Sequence, residues 1–467
     1  MDFNKNKRVE NKHQETKKAI SNFGEVNFSY TKEEAILEAS RCLSCIDAPC
    51  VSGCPLGNNI PSINKLIKEG EFDKAYLLAN ETNPLMGICG RVCQQENQCE
   101  KVCKRGKIPN SEPIAIGRLE RFLYDFHQCG MNATIKNPIK NPFSIAIIGS
   151  GPAGLSCACK LSQDGFKVTI YEKENICGGL LVYGIPEFCL PHKIVFDEIE
   201  TLKKRGVKFL ANSKIGDNNK LDNIIQSHDY DAVFIAHGAN KPRLMNIIGE
   251  YSFDVYNANE YLSYVNVPND IKSSKEENIY HAKNVVIVGG GNVAIDCDRA
   301  ALRLKANKVY NLYRRSEKEM PARKEEYQNA INEGIDFRFL TNPIEILLDE
   351  NEHVKGVKCI KMKLGEADAS GRSSPIPIEG SEFVIDCDLI IMALGSVAET
   401  NDIASKNGIN IDKHGYYLVN EKTMETNKNN IYAGGDAVTG PTTVVQAIKA
   451  GLLAAKSIEE KLLKKTI

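Results

Sequence analysis

The stretch Ser144–Gly154, SIAIIGSGPAG, decides the architecture. A short apolar run, Ser144–Ile148, reads as a buried strand. Gly149, Gly151, Pro152, Ala153 and Gly154 then make the turn that opens a helix. A second apolar strand, Lys167–Tyr171, follows and ends in Glu172. In a βαβ unit of this kind the glycines let a pyrophosphate approach the helix N-terminus, and the acid bonds the ribose hydroxyls.

Working outward, the pattern recurs once. Asn284–Val288 is followed by Gly289-Gly-Gly291-Asn292-Val293-Ala294, a helix, and the strand Lys308–Tyr313. This second strand ends in Arg314 and Arg315 where the first unit has Glu172. Guanidinium groups in place of a carboxylate favour a ribose 2′-phosphate, so NADPH is expected here rather than NAD. Near the C-terminus, Gly435-Asp436 follows a strand at 430–432, and Thr442-Thr443 opens a helix. Asp436 is placed to accept from a flavin ribityl hydroxyl, and the helix N-terminus faces the ring or its phosphates. Gly179 is placed with them, which makes the first unit the expected FAD site.

Apolar strands at Ala232–Ala236 and Leu389–Leu394 flank the second unit. The expected fold is therefore α/β, with the NADPH unit inserted in the FAD unit. Before residue 140 strand signals are absent, and an all-α region is expected. Thr31 with Glu34 marks a capping box, and helices are expected over 61–69, 72–80 and 112–126. The domain expectation is 1–130 helical, 131–142 linker, 143–268 first part of the FAD unit, 269–395 NADPH unit and 396–467 second part of the FAD unit.

Composition narrows the class. The 467 residues carry a formal net charge of −1 and are 42% hydrophobic. No basic field is available for nucleic acid. The polar, lysine-rich start lacks an apolar signal region and no long apolar run suggests a membrane span, so a cytoplasmic protein is expected.

Sixteen cysteines are present, eight of them between Cys42 and Cys103. The sets are Cys42, Cys45, Cys50, Cys54 and Cys89, Cys93, Cys99, Cys103. Clustered thiolates suit iron–sulfur clusters, and Pro55 after Cys54 also occurs in ferredoxin-type runs. Spacing alone assigns four cysteines to each set and leaves structural zinc as an alternative, in a scaffold with inactive nucleotide folds.

Several ordered motifs carry a resemblance: RCLSC, GCPLG, ICGRVC, QCEKVC, IGRLERF, GSGPAG, LVYGIPEF, GGGNVAID, YRRSEKEMPAR, GSEF and YAGGDAVTGPTTV. The chain resembles the small subunit of NADPH-dependent glutamate synthase over essentially its whole length. It is also similar to the large subunit of NADH-dependent ferredoxin:NADP oxidoreductase and to the electron-input part of dihydropyrimidine dehydrogenase. The resemblance implies two 4Fe-4S clusters with interleaved ligands. Cys42, Cys45, Cys50 and Cys103 would hold one. Cys54, Cys93, Cys99 and Glu120 would hold the other, with Cys89 in surplus. Two positions depart from the family: Cys189 stands where a basic residue follows GIPEF, and Gln94 replaces a proline.

The expected activity is hydride exchange between NADPH and FAD, with single electrons passing through the clusters to a partner. That partner would be a glutamate synthase large subunit, making glutamate from glutamine and 2-oxoglutarate, or alternatively a ferredoxin-linked small subunit in a possibly bifurcating complex. A homo- or hetero-oligomer is possible on this reading. No catalytic base is assigned, since hydride transfer needs orientation and exclusion of water more than proton transfer. The absence of a C-x-x-C pair beside the flavin speaks against disulfide exchange. Cys157-x-Cys159 has the wrong spacing for such a pair, and Cys129, Cys177, Cys189, Cys297, Cys359 and Cys387 are single.

Overall fold

The computed structural model describes residues 6–130, 141–215, 224, 229–267, 274–368, 371–398 and 401–464. The linker expected at 131–142 lies almost wholly outside these, as does the boundary at 268/269.

The N-terminal region is helical. Lys32–Ala39 opens at Thr31, whose hydroxyl accepts from the Glu34 amide at 3.2 Å while the Glu34 carboxylate accepts from the Thr31 amide at 2.9 Å. Helices Ile60–Lys68, Phe72–Thr82, Met86–Val92 and Ile116–Gly130 follow. They close on Ile63, Ile67, Ala75, Ala79, Leu119, Phe122 and Leu123. The last helix begins four residues later than the sequence suggests. The carbonyls of Glu112 and Pro113 are taken by the guanidinium groups of Arg41 and Arg8, both at 2.7 Å, instead of by helix amides. A Cβ on Gly90 would stand 2.7 Å from the Arg121 amide nitrogen, so only glycine lets Met86–Val92 lie this close to Ile116–Gly130.

Two five-stranded sheets follow, each wholly parallel. The first runs in the order 431–433, 232–235, 144–148, 167–171, 208–210. The second runs 255–257, 389–392, 284–288, 308–313, 336–339. In both, the glycine fingerprint follows the middle strand, the position where ligands bind in sheets of this class.

The second sheet corrects the expected boundary. Val255–Asn257 pairs with Ile390–Met392, and helix Ala258–Asn266 packs on the core of the second unit through Tyr261 and Leu262. Both fall within 143–268, the span expected for the first unit. Three residues are too short a strand to carry a periodicity that assigns it to a sheet. The chain crosses between units at an antiparallel pair, Lys241–Pro242 with Ser396–Val397, so the inserted unit begins just after 242. Within it an antiparallel sheet over Thr341–Ile385 stands beside the parallel one.

The units share cores. Leu85, Ile88, Cys89 and Cys93 of the helical region pack into the core of the first sheet's unit, with Leu155, Leu181 and Ile448. Phe188 packs into the core of the inserted unit. Its ring lies 4.7 Å from the Arg299 guanidinium and 4.1 Å from that of Arg303.

Candidate redox site

A cleft of about 590 Å³ lies where the three units meet. Its walls come from the first fingerprint (Gly149, Ser150, Gly151, Pro152), from Glu172 and Gly179, and from Gly435, Asp436 and Thr443. The inserted unit adds Asn292, Val293, Asp296 and Arg323, and the helical region adds Arg91, Val92 and Gln94.

On the first unit's wall, Gly149 adopts φ +105°, and a Cβ there would collide with the Ala236 carbonyl oxygen at 2.4 Å. Gly151, by contrast, faces open space within 4 Å. Gly154 abuts the Gly149 carbonyl, where a Cβ would sit at 2.0 Å. Glu172 is buried, and its carboxylate accepts from the amides of Ser150 and Glu174, each at 3.0 Å. Helix Val444–Leu463 points its N-terminus at the cleft from Thr443, whose hydroxyl is buried without a partner. Asp436 accepts from the Thr442 amide and hydroxyl at 3.1 and 3.3 Å, and burial pushes its carboxyl up to about 6. Open space at Gly151, an orphaned hydroxyl at Thr443 and an unfilled helix terminus are what a dinucleotide with an anionic pyrophosphate would use.

In the inserted unit Gly289 has φ +151° and Gly291 faces open space. Asn292 opens helix Asn292–Arg303, and its side chain accepts from the Arg323 amide at 2.8 Å. Val293 is 41% exposed on the cleft wall and Ala294 is buried in the unit's core. The arginine pair divides. Arg315 is buried and spent on the antiparallel sheet, donating to Ser373 O at 2.8 Å and to Asp368 at 2.6 Å. Arg314 alone is exposed. The expectation that both would meet a 2′-phosphate is corrected accordingly. Sequence cannot show that Arg315 faces back into the sheet, because its partner lies 53 residues away.

Cys189, the departure from the family, reaches the cleft in acidic company. Its thiol donates to Asp296 at 3.4 Å and to Glu326 at 3.6 Å, and Arg299 approaches its sulfur at 3.8 Å. Burial, and then Glu326, push the Asp296 carboxyl up to about 7. Arg299 and Arg303 are buried on Glu333, and Arg299 also meets Glu326. A basic residue at 189 would neutralise this acidic corner; a thiol does not.

The cysteines fall into two groups. Cys42, Cys45, Cys50 and Cys103 line one small cavity together with Leu43, Lys104 and Arg105. Ser44 and Ala48 are left-handed in the loop that carries them, a conformation costing non-glycine residues about 1–2 kcal/mol each. Cys54, Cys93, Cys99 and Glu120 perturb one another electrostatically, and Cys89 hydrogen-bonds Cys93. Glu120 is buried and accepts from Asn58 at 2.7 Å, and burial pushes its carboxyl up to about 7. Division by sequence set, from Cys42 to Cys54 and from Cys89 to Cys103, is not the grouping seen, because Cys103 returns to the first cavity. Among the described residues no three His, Cys, Asp or Glu side chains gather closely enough to hold a single metal ion. Four soft thiols around a cavity are nevertheless the donor set of an iron–sulfur cluster, which spreads its ligands around several irons.

Comparison with known proteins agrees. Residues 143–451 match the family model "Pyridine nucleotide-disulphide oxidoreductase", and residues 19–131 match dihydropyrimidine dehydrogenase domain II, 4Fe-4S cluster. The glutamate synthase [NADPH] small chain of Escherichia coli is 34% identical over 93% of this chain and 93% of its own length. The chain belongs to the NAD(P)H/FAD/iron–sulfur oxidoreductases related to the glutamate synthase small chains. The NADP(+)-dependent formate dehydrogenase subunit beta of Moorella thermoacetica is 37% identical over 89% of this chain. The chain spans only 60% of that relative's length. FprA from Mycobacterium tuberculosis in complex with NADPH shares the fold over 70% of this chain and 86% of its own, at TM-score 0.57 and 20% identity.

As a member of this oxidoreductase family the chain carries further cleft residues to which sequence reading gave no role. Arg323, the last residue of YRRSEKEMPAR, donates to the Arg91 carbonyl at 2.6 Å and ties the inserted unit to the end of helix Met86–Val92, just before Cys93. Asp296 ends GGGNVAID in the acidic corner. His237 lines the cleft, 3.3 Å from the Tyr417 hydroxyl, and burial lowers it to about 4, so it is neutral. The first two stand inside quoted motifs; nothing local marked the third. Among the described residues no helix is long and apolar enough to cross a membrane.

Proposed function

We propose that the chain is an NADPH-linked electron-transfer subunit, joining a two-electron nicotinamide to a one-electron protein partner of the ferredoxin type through FAD and two 4Fe-4S clusters. The convergence of both fingerprint units and the turn flanking Cys93 on one cleft carries this reading. A flavin, when bound, accepts hydride and gives up electrons singly, which neither a nicotinamide nor a cluster does alone.

The chain's own residues supply placement. Gly149 and Gly154 allow the tight turn and the close helix packing, Gly151 leaves room for a pyrophosphate, Glu172 would accept from ribose, and Thr443 with its helix N-terminus would face the remaining polar groups. Asn292 and Val293 bring the nicotinamide nucleotide to the opposite wall, with Arg314 free for a 2′-phosphate. Phe188, gripped by Arg299 and Arg303, and Arg323, gripped by the Arg91 turn, hold the inserted unit in register with the other two. Cys42, Cys45, Cys50 and Cys103 would hold one cluster, and Cys54, Cys93, Cys99 and Glu120 the other, with Cys89 in surplus. Packing of Cys93 in the core of the first sheet's unit supports the second set as the one nearer the cleft.

A second reading, service to a glutamate synthase large subunit, is favoured by the end-to-end match with glutamate synthase small chains. One experiment separates them. The reconstituted chain is mixed with NADPH and either a ferredoxin or a glutamate synthase large subunit with glutamine and 2-oxoglutarate. Ferredoxin reduction without glutamate formation supports the first reading; glutamate formation with no ferredoxin reduction overturns it.

A further inference from the structure

The two thiol groups are not equally deep. In one group Cys93, Cys99 and Glu120 are buried and Cys54 is partly exposed, and Cys93 lies in the core shared with the first sheet's unit. In the other only Cys103 is buried, while Cys42, Cys45 and Cys50 are each partly exposed. On the reading above, from which this inference follows, electrons leave the cleft by the inner group and reach the surface at the outer one.

The surface at that exit has a distinct chemistry. The loop joining Cys42 to Cys45 exposes Leu43, and Ile46 just beyond it is fully exposed. Ile108 is exposed on the neighbouring segment. That segment, Lys101–Lys107, carries four cations (Lys101, Lys104, Arg105 and Lys107) and no acid. Lys101, Lys104 and Lys107 are exposed, and Lys104 and Arg105 line the thiol cavity itself. Asp47 on the loop is paired with Lys104 at 2.6 Å. The whole chain has a net charge of only −1, so this positive field is local. Exposed apolar side chains beside a segment in which cations outnumber acids are the anatomy of an interface that selects its partner electrostatically.

We propose that Leu43, Ile46 and the Lys101–Lys107 segment form the docking surface for an acidic one-electron carrier protein. Each NADPH oxidised in the cleft would reduce two oxidised carriers at this surface by one electron each and release NADP+ and one proton. The positive field attracts the carrier's acidic face, and Ile46 and Leu43 exclude water over the outer cluster once it is seated.

The test uses the reconstituted full chain with an oxidised plant-type [2Fe–2S] ferredoxin as the acidic probe and basic cytochrome c as its counterpart. The Lys101→Glu/Lys107→Glu variant and the neutral Lys101→Gln/Lys107→Gln variant give a ladder of charge without touching a thiol. Binding of oxidised ferredoxin, read as Kd at low salt, is expected to weaken about ten-fold or more in the Glu variant and by less in the Gln variant. High salt is expected to remove the difference. Cytochrome c reduction by the Glu variant is expected to hold or rise. Ferredoxin affinity unchanged along the ladder, or equal losses with both proteins, would overturn the docking surface while leaving NADPH-driven ferricyanide reduction intact. Absence of ferricyanide reduction in the unmodified chain would instead strike the electron-transfer reading itself.

Discussion

Replacing Asp296 by asparagine tests the acidic corner of the cleft. The Asp296 carboxyl is raised from its ordinary 3.8 to about 7, first by burial and then by Glu326, against the opposing pull of Arg299. At about 1.4 kcal/mol per pH unit, holding the ionised form in that corner costs about 4 kcal/mol. Below the ordinary value both folded and unfolded chains keep the proton, and the side chain contributes no pH dependence. Between there and about 7 the folded chain holds a proton that the unfolded chain has lost, so stability falls as pH rises. Above about 7 the whole penalty is present. Asparagine has the same shape, still accepts from the Cys189 thiol and never ionises. Asp296→Asn is therefore expected to stabilise the inserted unit by about 2–4 kcal/mol near pH 8.5 and by close to nothing near pH 4. Because the chain has several units and no tryptophan, the readout is hydrogen exchange of the Asn284–Val288 amides, which reports local opening. A gain of equal size at both pH values, or one larger in acid, would refute the argument from burial.

Further outcomes follow from other contacts. Arg314→Ala is expected to raise the KM for NADPH about ten-fold or more with little change for NADH, whereas Arg315→Ala should lower the melting temperature because it removes a buried guanidinium that donates to Ser373 O and Asp368. Gly90→Ala forces a Cβ to 2.7 Å from the Arg121 amide; a cost of about 1–3 kcal/mol and a loss of cluster absorbance on reconstitution are expected. Cys89→Ser is expected to keep the full iron and sulfide content, while Cys99→Ser should reduce about eight irons per chain to about four. Arg323→Ala removes the 2.6 Å bond to the Arg91 carbonyl and should increase hydrogen exchange in residues 86–96 with the outer thiol cavity unaffected.

The fingerprints were legible because each is local: strand, glycine turn and helix lie within Ser144–Gln163 and Asn284–Arg303, and the alternation of apolar strands around them gives the nested order of the units. The Thr31–Glu34 capping box was legible for the same reason. What sequence alone lost were partnerships across long separations. Arg315 turns to Asp368, Cys103 returns to the group of Cys42, and Val255–Asn257 joins a strand more than 130 residues later. The expectation that Cys103 goes with Cys42, Cys45 and Cys50 came instead from family resemblance, and those four thiols line one cavity. Cys189 was noticed as a departure, yet its acidic neighbours Asp296 and Glu326 come from two helices that only folding brings beside it.

The nesting of one unit inside the other sets an order of assembly. Strand Ala232–Ile235 lies between Ile145–Ile148 and Ile431–Ala433, but its second neighbour is synthesised roughly 195 residues later, a delay of about 10–40 s at ordinary translation rates. During that interval the ribosome-bound chain exposes an apolar strand edge, and helix Val444–Leu463 is not yet available to cover Leu155 and Ala158. The inserted unit can finish its own sheet first. The cleft wall of the first unit, although its glycine loop emerges early, is closed only once Ile431–Ala433 and Val444–Leu463 are made, so any ligand held there must wait for them.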